Sequence, residues 1–228
     1  MKHRRRQSKE AKLYPLVERW MKRHFLCFKT AINKGLKFSR IDVIGTRDMG
    51  CDLASDVEAI AIEVKRGNEP FATACGQTLG YRVYAHRVYL ADYRDTPFTP
   101  DEVSIAGSLG IGLIQIRKSK CTEILSSPIY RPMPKLYYQL LERLALGRCQ
   151  FCDSIFQIGD QKSWYRNVTR ENVKKAISDG KGLIFWNSEV SNRKAKLGIK
   201  SDKFIWERRF ICPDCVERVI TQLRPSEE

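Results

Sequence analysis

The chain has 228 residues, of which 43% are hydrophobic and 10% aromatic, so its composition is that of a globular protein and excludes a disordered chain. No apolar run reaches the roughly 18 residues of a membrane span, and none of signal-peptide length follows the basic N-terminus, so we expect a cytoplasmic protein. The formal net charge of +15 predicts a polyanionic partner, most simply nucleic acid, with an ordinary solvated basic surface as the alternative.

The N-terminal part of the chain begins with a basic tail at 1–12. Apolar side chains at helical spacing then predict a helix over 14–25. Strand-like segments follow at 26–31, 40–45 and 59–65, and the turn residues between the last two favour an antiparallel meander.

The next segments return to an alternation of helix and strand. The pattern predicts a helix over 71–87 and a strand over 87–91. Thr99, followed by proline, is typical of a helix start, and a strand at 112–116 comes after that helix. This order predicts an α/β domain with a mixed sheet over 13–121.

The C-terminal part is predicted to be a separate module. Residues 122–147 contain a proline-rich linker and then a short helix that ends at Gly147. We place the domain boundary there, so that 148–228 forms a small α+β module.

The strand at 59–65 places a carboxylate and an ammonium on one face. Side chains alternate along a strand, so Glu63 and Lys65 point away from its isoleucines. Asp42 is likewise a lone charge in the apolar segment 41–44. Two acids on neighbouring strands can bind Mg²⁺ or Mn²⁺, which take oxygen ligands. Such a metal can activate water for phosphodiester hydrolysis, while Lys65 orients the water or neutralises the developing charge.

Several of these residues together resemble a known family, the PD-(D/E)XK nuclease superfamily. The resemblance covers residues 12–117 and is closest to the RecB-like and Mrr-like branches. It is carried by Glu18 in the first helix, Asp42 on one strand, Glu63-Val64-Lys65 on the next strand, and Gln77 with Tyr81 in the following helix.

The resemblance implies a restriction-endonuclease-like three-layer core and a role for each matched residue. Asp42 and Glu63 would bind the metal, with Lys65 as the catalytic lysine. Glu18 would reach the metal directly or through water, and Gln77 would steady the lysine or the scissile region. A homodimer is a further expectation, because many double-strand cutters in the family pair two active sites.

The sequence departs from the family pattern in one place. The residue before Asp42 is Ile41 and not proline, which keeps Asp48 and Asp52 open as alternative metal ligands. We prefer Asp42 because it alone lies in a strand pattern.

Four of the eight cysteines form two CxxC pairs, which predict a metal site. Cys149 and Cys152 are separated from Cys212 and Cys215 by residues 153–211, a longer gap than in most zinc ribbons. Four thiolates suit a structural, zinc-ribbon-like Zn²⁺ site, with an iron–sulfur cluster as the rival. The other cysteines are predicted to be core residues: Cys27, Cys51, Cys75 and Cys121.

Basic side chains between the two pairs predict a nucleic-acid-binding surface, because such side chains contact phosphates. A solvated face is the alternative. The predicted contacts are Arg193, Lys194, Lys196, Lys200, Lys203, Arg208 and Arg209.

Taken together, the sequence predicts a Mg²⁺-dependent nuclease, preferably a DNA endonuclease, with a zinc-stabilised DNA-binding module. Two alternatives stay open. One is a nucleic-acid-binding protein whose nuclease-like fold has lost activity, and the other is an RNA-processing nuclease.

Overall fold

The computed structural model describes residues 10–36, 39–49, 57–67, 69–159, 164–186 and 208–223. The chain divides into two compact units, Met1–Leu144 and Ala145–Glu228. Within the described residues no helix is both long and apolar enough to span a membrane.

The first unit is built on a six-stranded sheet whose strands lie in chain order. The first three strands pair antiparallel, which confirms the predicted meander. The next two pairings are parallel and the last is antiparallel, so the sheet is mixed, as predicted. The strands are β1 (Lys29–Gly35), β2 (Arg40–Asp48), β3 (Val57–Lys65), β4 (Arg87–Tyr93), β5 (Gly112–Arg117) and β6 (Lys120–Leu125).

Helices contact both faces of this sheet. One face packs against the first helix through a core that includes Ile60, Ile62 and Val64 of β3. The side chains between them on β3 point to the other face, where the second helix contacts β3 and β4. The helices of the first unit are α1 (Tyr14–His24), α2 (Phe71–Leu79), α3 (Pro100–Leu109) and α4 (Pro134–Arg143).

Several predicted elements differ in extent from those observed. The helix predicted over 71–87 ends at Leu79 and continues as one 3₁₀ turn, Gly80–Val83. Gly80, a poor helix former, lies at that change. β1 begins three residues later than predicted and runs to Gly35. The segment 122–147, predicted as a linker and a short helix, contains the end of β6 and all of α4, both in the first unit.

The helix start at Thr99 is formed as its residues predict. The Thr99 hydroxyl accepts the backbone N–H of Glu102, and the Glu102 carboxylate accepts the backbone N–H of Thr99. This reciprocal capping satisfies two donors at the start of α3.

Helix α1 lies close against β2 because β2 has a glycine at the contact. A Cβ atom at Gly45 would overlap the Met21 side chain and lie 2.7 Å from Cys27 Sγ. The absence of a side chain at Gly45 therefore sets how near α1 approaches the sheet.

The second unit contains two small sheets and two helices among its described residues. The elements are β7 (Leu146–Arg148), β8 (Ile155–Gln157), β9 (Trp164–Arg166), α5 (Arg170–Ser178), β10 (Gly182–Trp186), β11 (Arg208–Ile211) and α6 (Pro213–Leu223). β7 and β8 form an antiparallel pair, and the other three strands form a sheet in the order β11-β10-β9. Thr169 caps α5 by accepting the backbone N–H of Asn172 at 3.2 Å.

Candidate active site and metal centre

The acid on β2 lies where that strand separates from β3. The antiparallel pairing stops at Val43 and Ile62, whereas β3 goes on pairing with β4 for three more residues. Beyond that point the backbone N–H of Val64 donates to Asp42 Oδ2 at 2.9 Å. The Asp42 carboxylate is therefore held by the neighbouring strand at the end of the β2–β3 ladder.

Glu63 and Lys65 share the opposite face of β3 from its core isoleucines, as the alternation predicts. They are 6% and 8% exposed, which is unusual for charged side chains and requires partners. Lys65 Nζ lies 2.8 Å from Glu63 Oε1 and 2.8 Å from Glu69 Oε2. The Tyr81 hydroxyl donates to Glu63 Oε2. We refer to Asp42, Glu63 and Lys65 as the central cluster.

The charge of Glu63 disfavours the ionised form of Asp42. Burial and the negative charge of Glu63 raise the pKa of the Asp42 carboxyl to about 7, although hydrogen bonds from Tyr14 and Val64 oppose the shift. A cation beside both groups would relieve this repulsion. Carboxylate oxygens each have two lone-pair sites, so both acids keep capacity for a metal ion. The residues present therefore fit a hard divalent cation that takes two protein ligands and keeps several waters.

Lys65 is held as a cation. Burial lowers the pKa of its ammonium, but the hydrogen bonds to Glu63 and Glu69 outweigh burial and raise the pKa above its ordinary value. A permanently charged ammonium stabilises negative charge and does not abstract protons.

Two further predicted site residues, Glu18 and Gln77, form no hydrogen bond with the central cluster among the described residues. Glu18 on α1 accepts a hydrogen bond from the Thr30 hydroxyl at 2.6 Å and lies 3.4 Å from Lys22 Nζ. Gln77 is exposed on α2, one turn before Tyr81. Their predicted roles at the metal and the lysine stay predictions.

Three residues beside the central cluster were not anticipated in the sequence. The Tyr14 hydroxyl donates to Asp42 Oδ1 at 2.7 Å, and Glu69 binds Lys65 as described above. Asp92 on β4 is opposite Lys65 in the parallel register, is buried, and accepts the Gly67 N–H at 2.6 Å. Burial raises the pKa of Asp92. Asp92 is a lone acid near the end of the apolar strand β4. A single acid in an apolar strand segment was the pattern that identified Asp42, and the same pattern could have identified Asp92.

The four cysteines of the CxxC pairs come together in the second unit. Cys149 directly follows β7 and Cys152 lies in the turn before β8. Cys212 directly follows β11, and Cys215 lies in the first turn of α6. Each pair is thus carried by a strand end and the turn that follows it.

The sulfur positions can hold a metal ion. All four Sγ atoms lie within 4.8 Å of one another, and Cys152 and Cys212 are 3.8 Å apart. Backbone N–H groups of Phe151 and Cys212 donate to Cys149 Sγ, each at 3.4 Å, and so hold this sulfur in place. Three of the isolated cysteines, Cys27, Cys75 and Cys121, are buried core residues, as predicted. Cys51 lies outside the described residues.

Most of the predicted phosphate contacts lie outside the described residues, namely Arg193, Lys194, Lys196, Lys200 and Lys203. Arg208 and Arg209 lie on β11. The guanidinium of Arg209 donates to Gln150 Oε1 at 3.4 Å.

Comparison with protein-family models gave no match, and neither did comparison with curated proteins. Among solved structures, a protein of unknown function from Silicibacter pomeroyi is similar over 57% of this chain and 78% of its own. The two share 20% identity with a TM-score of 0.42. A likeness at this level assigns neither a family nor a function to the chain.

Proposed function

We propose that the chain is a metal-dependent nuclease of the PD-(D/E)XK type that hydrolyses phosphodiester bonds in DNA. One observation carries the proposal. Asp42 accepts the backbone N–H of Val64, the residue between Glu63 and Lys65, at 2.9 Å, and the Lys65 ammonium lies 2.8 Å from Glu63. Two repelling carboxylates beside a fixed cation, where two strands separate, are the groups that metal-assisted hydrolysis uses.

Each residue has a distinct task in this chemistry. A divalent cation held by Asp42 and Glu63 would polarise the phosphoryl group and lower the pKa of a bound water. Lys65, held in place by its two carboxylate partners, would stabilise the negative charge that develops on the phosphoryl oxygens. Tyr81 lies in the 3₁₀ turn after α2, and its hydroxyl bond to Glu63 would hold that carboxylate in place.

A purely structural ion pair explains the cluster less well. Lys65 is the one cation of the central cluster, whereas Asp42 and Glu63 bring two carboxylates to it and the half-buried Glu69 also binds the lysine. Buried carboxylates are costly to folding when cations do not balance them. The excess of carboxylates over cations in the central cluster therefore supports a site built for a ligand.

For the four-cysteine site we propose Zn²⁺ in a structural role. In a tetrahedral site with zinc–sulfur distances of about 2.3 Å, the sulfurs lie about 3.8 Å apart. The separation of Cys152 and Cys212 has that value, and the remaining pairs need only small adjustments within their 4.8 Å limit. Four protein thiolates leave no open position, so the ion would stabilise the second unit and not catalyse.

Nucleic acid as the partner is supported by charge. The net charge is +15, and α5 presents Arg170 and Lys174 on one side, one turn apart and exposed. No ion pair joins either of them to another described residue. In contrast, Lys175 pairs with Glu171 at 2.6 Å. Cations without acid partners are the ones that bind phosphates at the least cost.

The cleavage test uses purified full-length protein with supercoiled, linear and single-stranded DNA and with RNA, in Mg²⁺ or Mn²⁺. Glu63→Gln and Lys65→Ala should each lower the cleavage rate at least about 100-fold, as loss of a charge-stabilising group does. Lys120→Ala removes an exposed lysine on β6, is the matched control and should cleave DNA at the wild-type rate.

Absence of metal-dependent cleavage by the wild type, or full activity of Lys65→Ala, would refute the proposal. DNA binding without cleavage would favour the inactive nuclease-fold protein, and cleavage of RNA alone would favour RNA processing.

Binding is tested separately by fluorescence anisotropy over a series of salt concentrations. The double variant Arg170→Ala/Lys174→Ala should weaken binding and reduce the slope of log affinity against log salt by about 2, one for each phosphate contact. Lys175→Ala/Lys181→Ala removes equal charge from lysines that already have acid partners, so it should change the slope less. Equal slopes for the two double variants would exclude this surface of α5.

A further inference from the structure

Tyr14 occupies a buried position at the start of α1. It is the first residue of the helix and only 7% exposed. Its ring belongs to the same core as Val17 and Met21, the next buried residues on that side of the helix. Packing of this kind leaves a tyrosine ring little freedom, so its hydroxyl is a fixed donor.

That hydroxyl completes a two-point hold on Asp42. Tyr14 donates to Asp42 Oδ1 at 2.7 Å, and the Val64 N–H donates to Oδ2 at 2.9 Å. One donor comes from a helix on one face of the sheet and the other from the backbone of β3. A carboxylate with one fixed donor on each oxygen has a single orientation, while each oxygen keeps a lone pair for another ligand.

We propose that Tyr14 is a positioning residue that fixes the Asp42 carboxylate in the orientation in which it binds the divalent cation. This inference rests on the proposed function, because it takes Asp42 as a metal ligand. Groups that hydrogen-bond to a ligating carboxylate commonly change metal affinity when removed. Helix α1 would then support the metal site through Tyr14, which bonds to Asp42, and not through Glu18, which lies one turn later and bonds to Thr30.

A second tyrosine of the same core provides a matched control. Tyr89 on β4 is 1% exposed and belongs to the same buried cluster. Its hydroxyl also donates to a carboxylate, Glu123 Oε1, at 3.0 Å. Tyr14→Phe and Tyr89→Phe therefore remove the same kind of hydrogen bond from the same core, but only one of these bonds reaches the central cluster.

The test measures metal binding without substrate. Full-length wild type, Tyr14→Phe, Tyr89→Phe and Asp42→Asn are titrated with Mn²⁺, and free Mn²⁺ is followed by electron paramagnetic resonance. Binding that Asp42→Asn abolishes is assigned to the central cluster. Circular dichroism and urea unfolding give the folded fraction of each variant, and the binding data are normalised to that fraction.

We expect Tyr14→Phe to weaken Mn²⁺ binding about 10-fold, as losses of such supporting groups do, and Tyr89→Phe to change it less than about twofold. Wild-type affinity in Tyr14→Phe would overturn the inference and leave the proposed function intact. Equal weakening in both phenylalanine variants would also overturn it, because a general loss of core stability would then explain the effect. Absence of any Asp42-dependent binding in the wild type would overturn the proposed function and this inference with it.

Discussion

Replacing Asp42 by asparagine should change how the stability of the metal-free protein depends on pH. The pKa of Asp42 is raised from its ordinary value of 3.8 to about 7, mainly by burial and by the charge of Glu63. The folded protein therefore holds this proton more tightly than the unfolded chain does. Its contribution to stability is fully present below pH 3.8 and is lost as the pH rises through about 7.

The size of the effect follows from the width of that pH window. Each pH unit within the window costs about 1.4 kcal/mol of unfolding free energy, so the whole window amounts to roughly 4 kcal/mol. About 3 kcal/mol of this falls in the accessible range from pH 5 to pH 8. The asparagine side chain does not titrate. From pH 5 to pH 8 the unfolding free energy of Asp42→Asn should therefore rise by about 3 kcal/mol relative to that of the wild type. The difference between the two proteins cancels the titration of groups that do not interact with Asp42.

The assay is urea unfolding at pH 5, 6, 7 and 8 in buffer freed of divalent ions by a resin. No chelator is added, because a chelator would also remove the Zn²⁺ proposed for the four-cysteine site. Asp95→Asn, the same change at an exposed loop position, is the control and should follow the wild type at every pH. Adding Mg²⁺ should stabilise the wild type more at pH 8 than at pH 5, because protons compete with the metal for Asp42. A constant stability difference between Asp42→Asn and the wild type across this range would refute the reasoning.

Two further predictions concern the cysteine site and the packing of α1. The wild type should contain about one zinc per chain, and Cys152→Ser should lose it with destabilisation of the second unit, whereas Cys121→Ser, a buried core cysteine, should keep it. Elemental analysis checks this, and full zinc content in Cys152→Ser would contradict the four-thiolate site. Gly45→Ala should cost about 1–3 kcal/mol of unfolding free energy, because its methyl group would overlap side chains beneath α1. Gly35→Ala on the neighbouring strand meets no atom within 4 Å and should cost far less in the same urea experiment.

The sequence alone determined the features that depend on local periodicity and on short motifs. A repeat of two along β3 was enough to place Glu63 and Lys65 together on one face, because alternation is a property of any strand. A capping threonine was enough to start α3 at Thr99, since its side chain bonds only to the next turn.

Only the tertiary structure decided which residues touch across long separations. Local periodicity gives the face of a helix or strand but not the register or tilt that brings two elements together. For that reason Tyr14, and not Glu18, contacts Asp42 across 28 positions of the chain. The same holds for Asp92, which meets the end of β3 through the parallel register of β4.

The cysteine site shows the same division. Its ligands are evident in the sequence as two CxxC pairs, but closing a gap of 60 positions between Cys152 and Cys212 is a matter of chain topology. The bridge that joins Cys149 to Phe210, and the hydrogen bond from the Gln150 N–H to the Phe210 carbonyl, bring the two pairs together. Residue types determined the chemistry that each part of this protein can offer, and non-local strand pairing decided which of those parts meet.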